Sequence, residues 1–371
     1  MVAPLLLHVY STFAVGGPQV RFAAMANRFG ADFRHAIVAM DGNTAARERL
    51  DPALDVSFPA VEIRKGDTLG NRARFRALLR DMRPDRLVTS NWGSIEWAMA
   101  NLPKLVPHLH VEDGFGPEER DRQLPRRVWT RRLLLRRATV AVPSQRLFHI
   151  ARAIWRLPAG GLHYVPNGID LARFTPAPPA ARVVAVIGTV AALRPEKNLG
   201  RLLRAFARVA ADRLAAGRPV RLVIVGDGPE RSGLEAIAAN LGIAPAVTFA
   251  GHIADTAGLY GGFDLFALSS DTEQMPIAVL EAMAAGLPVA ATAVGDISAM
   301  LASENLPYVV PNDDGALAVA MAQLLGNPVL CARLGAANRA QAVARFDQEA
   351  MFAAWHALFR GARPPAPPAF P

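Results

Sequence analysis

The segment TEQMPIAVLEAMAAGLPVAAT, Thr272 to Thr292, reads as a helix followed at once by a strand. Pro276 and Gly286 frame the helix, with Pro in its first turn and Gly at its stop. Between them Ile277, Ala278, Val279, Leu280, Ala282, Met283, Ala284 and Ala285 leave no polar face for water. One carboxylate, Glu281, interrupts this run, eight positions after Glu273. A buried carboxylate without a partner is too costly to keep. Glu281 is therefore expected to meet a donor from the protein or from a ligand.

The same grammar extends in both directions. Upstream, VVAVIGTV, RLVIVG, AVTFAG and LFALSS read as strands, and PVAATAV continues the series. LGRLLRAFARVAADRL, GLEAIAANLG and GALAVAMAQLLG are the helices beside them. The first half repeats the alternation, with LLLHVY, HAIVAM, RLVTS, HLHV and ATVAVPS as strands and QVRFAAMANRF, RARFRALLRDM and SIEWAMANL as helices. Alternating βα units imply parallel sheets. The expected fold is α/β, with two Rossmann-like, doubly wound parallel-sheet domains facing a ligand cleft at the C-terminal ends of their strands. The expected limits are 1–174 for the first domain, 175–182 for a Pro/Ala linker and 183–345 for the second domain. An amphipathic helix over 346–360 is expected to pack back on the first domain, and 361–371 to form a disordered tail.

A chain of 371 residues is too long for one ordinary core. With 51% apolar and 20% charged residues it has a soluble globular profile. Its single cysteine, Cys331, excludes an internal disulfide, leaves a structural zinc site short of ligands and fits a reducing compartment. MVAPLLLHVY lacks the basic flank and the length of a signal peptide, and no apolar run reaches a membrane span. A cytoplasmic protein is expected. The net charge of +9 is concentrated in Arg120, Arg122, Arg126, Arg127, Arg131, Arg132, Arg136 and Arg137. Such a segment suits nucleic acid, anionic lipid or an acidic substrate.

Nicotinamide chemistry fits poorly. VGDGPERSGLE offers Gly226 and Gly228, but Arg231 stands where the third Gly of a dinucleotide fingerprint belongs, and there is no Walker A sequence. Gly16 and Gly17, after the first strand, suit a loop whose amides approach a phosphate, a tight turn being the plainer reading. GTVAALRPEKN places Arg194 and Lys197 between a strand and a helix, where two cations suit a diphosphate and a solvated loop is the alternative. The N-terminus of the Pro276 helix favours an anion.

Taken together these residues resemble the retaining glycosyltransferases of family 4, which have the GT-B fold. The resemblance rests on the Gly16–Gly17 loop, VPNGID (Val165–Asp170), LRPEKN, VGDGPE, VTFAG and the Glu273-to-Glu281 spacing, and it covers nearly the whole chain. It implies transfer of a sugar, with retention, from a nucleotide-sugar donor to a saccharide or lipid-linked acceptor, in envelope polysaccharide or glycolipid assembly. It also implies that Glu273 contacts the donor sugar and that Glu281 binds the ribose hydroxyls. Arg194 and Lys197 would stabilise the departing diphosphate, while Met275, Pro276 and Ile277 would bind the donor at the helix start. His110, chosen from PHLHVEDGFGPEE, would stand for the family's histidine near the donor sugar. VPNGID is expected to be a structural turn. Glu112, Asp113, Glu118 and Glu119 form an acidic cluster for acceptor binding or simple solvation.

Two departures matter. The family's arginine position is Ala192 here, so Arg194 must substitute, and Gln274 stands where the family commonly has Gly. A catalytically impaired nucleotide-sugar sensor is therefore the alternative. The chain has no D-x-D sequence, so no cofactor and no donor-bound metal are expected. Nucleic acid is not expected as a partner, because Trp129 is the only aromatic within the Arg segment. The arginines and apolar residues of Leu124–Ala138 fall all round a helical wheel. A weak, salt-sensitive, peripheral contact with an anionic membrane is expected, rather than insertion.

Overall fold

A computed structural model describes residues 2–119, 122–177 and 183–367. Its contacts divide the chain into two units, one running to Pro166 and including Glu349–Pro367, the other Asn167–Gln348.

The first unit is a seven-stranded parallel sheet. Its strands are β1 (Leu5–Tyr10), β2 (Arg34–Ala39), β3 (Val56–Ser57), β4 (Arg86–Ser90), β5 (His108–Val111), β6 (Thr139–Val142) and β7 (Leu162–Tyr164), in the order β3-β2-β1-β4-β5-β6-β7. Helices α1 (Gly17–Phe29), α2 (Thr68–Met82), α3 (Ile95–Ala100), α4 (Pro125–Leu135) and α5 (Gln145–Ala153) connect them. A parallel sheet is covered on both faces, so its strands are apolar throughout rather than alternating. In β1 Leu6 through Tyr10 are all buried.

The second unit repeats the plan with six parallel strands. These are β8 (Ala185–Val190), β9 (Val220–Val225), β10 (Val247–Gly251), β11 (Leu265–Leu268), β12 (Val289–Thr292) and β13 (Val309–Val310), in the order β10-β9-β8-β11-β12-β13. Its helices are α6 (Leu199–Ala215), α7 (Arg231–Asn240), α8 (Ala257–Tyr260), α9 (Ile277–Ala284), α10 (Ile297–Met300), α11 (Asp314–Leu325) and α12 (Pro328–Arg345). Leu199, Leu202, Leu203, Phe206 and Val209 recur at helical spacing on α6 and are buried against the sheet. On the opposite face α9 buries Val279, Leu280, Ala282, Met283 and Ala284. Both sheets reverse strand order beside their first strand, as the expected Rossmann-like class requires.

The last helix, α13 (Gln348–Arg360), follows the second unit, yet from Glu349 onward it belongs to the first. Phe352, Trp355 and Phe359 are buried among Phe22, Phe33 and their neighbours. Burying each Phe is worth about 1.5–3 kcal/mol. The expected boundary at residue 174 falls late. Asn167–Phe174 belong to the second unit, where Ile169 exchanges backbone hydrogen bonds with Phe346 and Gln348 and Phe174 packs in the core. Residues 178–182 of the expected linker, and 368–371 of the expected tail, lie outside the described residues, as does Arg120.

Candidate active site

In the second unit the loop after β8 and the loop after β11 are tied side by side. Asn198 caps α6 by accepting from the Arg201 amide at 3.1 Å, and its Nδ2 donates to Asp271 at 3.1 Å. Arg201 donates to Asp271 and to the Ser269 carbonyl, both at 2.8 Å, and the Ser269 hydroxyl donates to the Lys197 carbonyl at 3.0 Å. These bonds hold Lys197 opposite Glu273. Lys197 Nζ lies 2.6 Å from Glu273 Oε1, and the Ser270 hydroxyl donates to the same oxygen at 2.7 Å. Together with Thr189, Pro276 and Ile277 they line a cavity of ≈ 90 Å³. The structure thus brings together Lys197, Glu273, Pro276 and Ile277, four of the residues that the sequence singles out.

Arg194 does not line that cavity. Leu193 is buried between exposed Ala192 and exposed Arg194, and the Arg194 side chain makes no hydrogen bond among the described residues. Met275 is also set apart, with its side chain in the core at 5% exposure. Its carbonyl is gripped by Asn167 Nδ2 at 3.0 Å. VPNGID therefore fastens the chain just before α9, a role its sequence did not disclose.

Glu281 has a partner within the protein. Its Oε2 accepts from the Tyr260 hydroxyl at 2.5 Å. Burial dominates and pushes its carboxyl up to about 7, against the pull of Tyr260, Arg173 and Thr256. Tyr260 is fully buried, ringed by Phe174, Phe263 and Phe266. The expectation that Glu281 needs a donor is met first by this tyrosine. A carboxylate has about four acceptor sites, so capacity remains.

Two glycines shape the loops. A Cβ on Gly226 would meet the Ala191 carbonyl oxygen at 1.9 Å, so VGDGPE lets the strand ends close on the loop that leads to Lys197. Gly295, with φ +58°, would place a Cβ 2.5 Å from the Glu273 carbonyl oxygen. Gly295 and the Asp296 amide, which donates to the Gln274 carbonyl at 2.9 Å, buttress the Glu273 loop. Nothing in the sequence reading pointed to them.

In the first unit Gly16 is extended before α1 and Gly17 opens the helix, with Pro18 in the first turn. A Cβ on Gly17 would meet nothing within 4 Å, which leaves open space above the helix amides. His110 fares otherwise. It shares a side of β5 with His108, and Thr89 Oγ1 meets His110 Nδ1 at 2.8 Å and His108 Nε2 at 2.7 Å. That side is the interior of a covered sheet, and His110 is 0% exposed. Burial pushes the His108 imidazole down to about 3.

Of the acidic cluster, Glu118 is exposed, whereas Glu112, Asp113 and Glu119 are paired in the interior. Arg21 meets Asp113 at 2.7 Å, Arg131 Nε meets Glu112 at 3.1 Å, and Arg127 and Arg131 both reach Glu119. Burial raises the Glu119 carboxyl, but the bonds from Arg131 and Arg127 outweigh it and hold the group below its ordinary range. Arg131 stands over the Trp155 ring at 4.9 Å and the Trp92 ring at 5.2 Å. Among the described residues no three His, Cys, Asp or Glu side chains gather as a metal would need.

Two parallel-sheet units of this strand order make up the GT-B fold. The Anabaena protein HepE, solved in complex with UDP-glucose, matches 96% of this chain and 100% of its own with a TM-score of 0.80 at 19% identity. Sucrose-phosphate synthase from Thermosynechococcus elongatus matches 96% and 98% with a TM-score of 0.77 at 21% identity. The model for Glycosyltransferase Family 4 matches residues 15–173, and that for Glycosyl transferases group 1 matches 183–327. The chain belongs to the family 4 glycosyltransferases. Among curated proteins, a GDP-mannose-dependent monoacylated alpha-(1-6)-phosphatidylinositol monomannoside mannosyltransferase from Corynebacterium glutamicum is 30% identical over 51% of this chain and 53% of its own. The lipopolysaccharide core biosynthesis glycosyltransferase LpsD of Rhizobium meliloti is 32% identical over 51% and 55%. The chain spans about half the length of the curated relatives it matches.

Proposed function

We propose that the protein is a retaining glycosyltransferase that moves a sugar from a nucleotide-sugar donor to a saccharide or lipid-linked acceptor, in envelope polysaccharide or glycolipid assembly. The observation that carries this reading is the Lys197–Glu273 pair, 2.6 Å apart, beside the N-terminus of α9. A nucleotide sugar brings a diphosphate, a ribose and a sugar, and the second unit offers a group for each. Lys197 stabilises the diphosphate as its bond to the anomeric carbon breaks, and exposed Arg194, outside the cavity, is the second cation of the scheme. The unbonded amides of Ile277 and Ala278, in the first turn of α9, favour the same charge. Glu273 takes the sugar hydroxyls and Glu281 the ribose hydroxyls, as charge-assisted bonds, while Met275 holds its backbone in line. The acceptor oxygen bonds to the anomeric carbon on the face that the diphosphate leaves, and its proton passes to the departing diphosphate. In the first unit, Gly16 and Gly17 offer the start of α1 to an anionic group. His110, without an exposed atom, has no part in the proposed site.

The mannosyltransferase and lipopolysaccharide relatives support a lipid-linked acceptor, and with it a peripheral contact with an anionic membrane. The substrate requires no resident cofactor or metal in this scheme. A thermal-shift panel of UDP-, GDP- and ADP-sugars tests the donor, since a ligand that binds only the native state raises its stability. NMR of the transferred sugar's anomeric configuration then tests retention, and inversion would refute it. Ala192, in the place of the family arginine, favours a second reading as a sensor. Stabilisation by a donor without hydrolysis or transfer would select that reading.

A further inference from the structure

Helix α4 carries arginines all round its circumference, but the structure divides them. Arg127 and Arg131 point inward and are consumed by Glu112, Glu118 and Glu119. With these removed, the outward face has a clear composition. Trp129 is 66% exposed and Leu133 76% exposed. At about 100° per residue, Arg126, Trp129 and Leu133 lie within about 60° of one another. Arg136 and Arg137 continue from the helix end, both exposed, and Arg132 borders the face with its guanidinium 4.9 Å over the Trp129 ring. Arg132 also donates to the Ile154 carbonyl, and Ile154 itself is 40% exposed. From Arg122 to Ile169 the chain contains no Asp or Glu.

We propose that this face docks the first unit on an anionic bilayer, with Trp129 and Leu133 entering the interface and Arg126, Arg132, Arg136 and Arg137 meeting lipid phosphates. The proposal rests on the membrane contact of the proposed function and replaces a diffuse basic attraction with one oriented surface. The composition is that of an interfacial helix: a Trp and a Leu at the centre, long cationic side chains around them. Tryptophan is suited to that depth because its ring is apolar and its N–H finds water or a headgroup. A single-stranded nucleic acid would need a row of aromatics to stack its bases, and Leu133 offers it nothing.

The test uses the full chain with vesicles of phosphatidylcholine, with and without phosphatidylglycerol. Wild type should co-sediment with the anionic vesicles, less at high salt, with a blue-shifted Trp emission. Trp129→Ala with Leu133→Ala should bind about tenfold more weakly or less and lose the shift, since a buried Leu alone is worth that factor. Arg136→Ala should weaken anionic binding by up to about fivefold. Both variants change exposed positions, so an unchanged melting temperature verifies their fold. Equal binding to neutral and anionic vesicles, wild-type binding by the Trp129/Leu133 variant, or self-association through this face without vesicle binding would each overturn the proposal. Donor-induced thermal shift, measured on the same samples, separates the two readings. Vesicle binding with no response to any nucleotide sugar would leave the surface standing and remove the transferase.

Discussion

Glu281→Gln isolates charge from shape at the proposed ribose site. The amide keeps the side chain's length, and its oxygen still accepts from Tyr260, so packing around the tyrosine is preserved. Two changes should follow. A hydrogen bond to a charged group is worth about 1.5–3 kcal/mol, against about 1 for a neutral one. Losing the charge under two ribose hydroxyls should therefore weaken nucleotide binding by about tenfold to about a hundredfold. The second change is in pH dependence. The carboxyl lies near 7 in the folded protein against an ordinary 4.5, so the folded state binds the proton more tightly than the unfolded one. Its contribution to stability is fully present below pH 4.5 and is lost as pH rises through 7. That raised affinity amounts to about 3 kcal/mol. Urea unfolding without ligand, from pH 4.5 to 8, should show this decline in the wild type and not in Glu281→Gln. Nucleotide affinity, measured by calorimetry over the same range, should improve with pH in the wild type as the carboxylate forms, and stay flat in the variant. A wild-type pH slope in Glu281→Gln, or undiminished nucleotide affinity, would refute both the buried-carboxylate account and the ribose role.

Lys197→Ala should lower turnover by about a hundredfold or more, as loss of one preorganised charge donor does, and unchanged kcat would remove it from the site. Arg194→Ala should be as damaging, with Ala192→Arg restoring part of the loss; a silent Arg194→Ala in a donor-hydrolysis assay points to another cation. Gly295→Ala should displace the Glu273 loop and depress kcat while the protein stays folded by circular dichroism, because the added methyl has no room beside the Glu273 carbonyl; full activity would show that the loop yields freely. Arg131→Ala strands Glu112 in the interior, while Glu119 keeps Arg127, and should cost about 3–5 kcal/mol in chemical unfolding, whereas a cost below about 1 would mean that water already reaches Glu112.

Much of the fold was legible because buried parallel strands and amphipathic helices announce themselves by composition. LLLHVY, VVAVIGTV and LGRLLRAFARVAADRL became β1, β8 and α6 with shifts of a residue or two. What escaped lacked that signal. β3 and β13 have two residues each, too few for any period. The 18-residue α12 buries Leu334, Gly335, Asn338, Ala342 and Arg345, a face in which only Leu334 is a large apolar residue. Asn338 earns its burial through bonds to the Leu287 carbonyl and the Ala302 amide. No hydropathy pattern anticipates a helix held by an asparagine.

The site was legible along the chain and opaque across it. Lys197 and Glu273 could be named from adjacent motifs, because each follows a strand and precedes a helix start. Nothing local says that Tyr260 reaches Glu281, since the two are 21 positions apart and lie on different helices. Nor does a sequence distinguish an arginine facing three carboxylates from one facing water. The wheel drawn for α4 failed for that reason: it counted Arg127 and Arg131 as surface charge, although Glu119, held at 2% exposure, had already claimed them. Polarity alone assigns a side chain to solvent; its partner decides whether it goes there. His110 failed by the same logic in reverse. Thr89 meets its Nδ1 from the next strand and its Nε2 lies buried without a hydrogen bond, 3.6 Å from Glu112, so its polarity did not bring it to an open site. The residues that survive as candidates beside open space are Lys197 and Glu273 in one unit and the amides behind Gly17 in the other, while Glu281 stands apart from that cavity and keeps only its unused acceptor capacity.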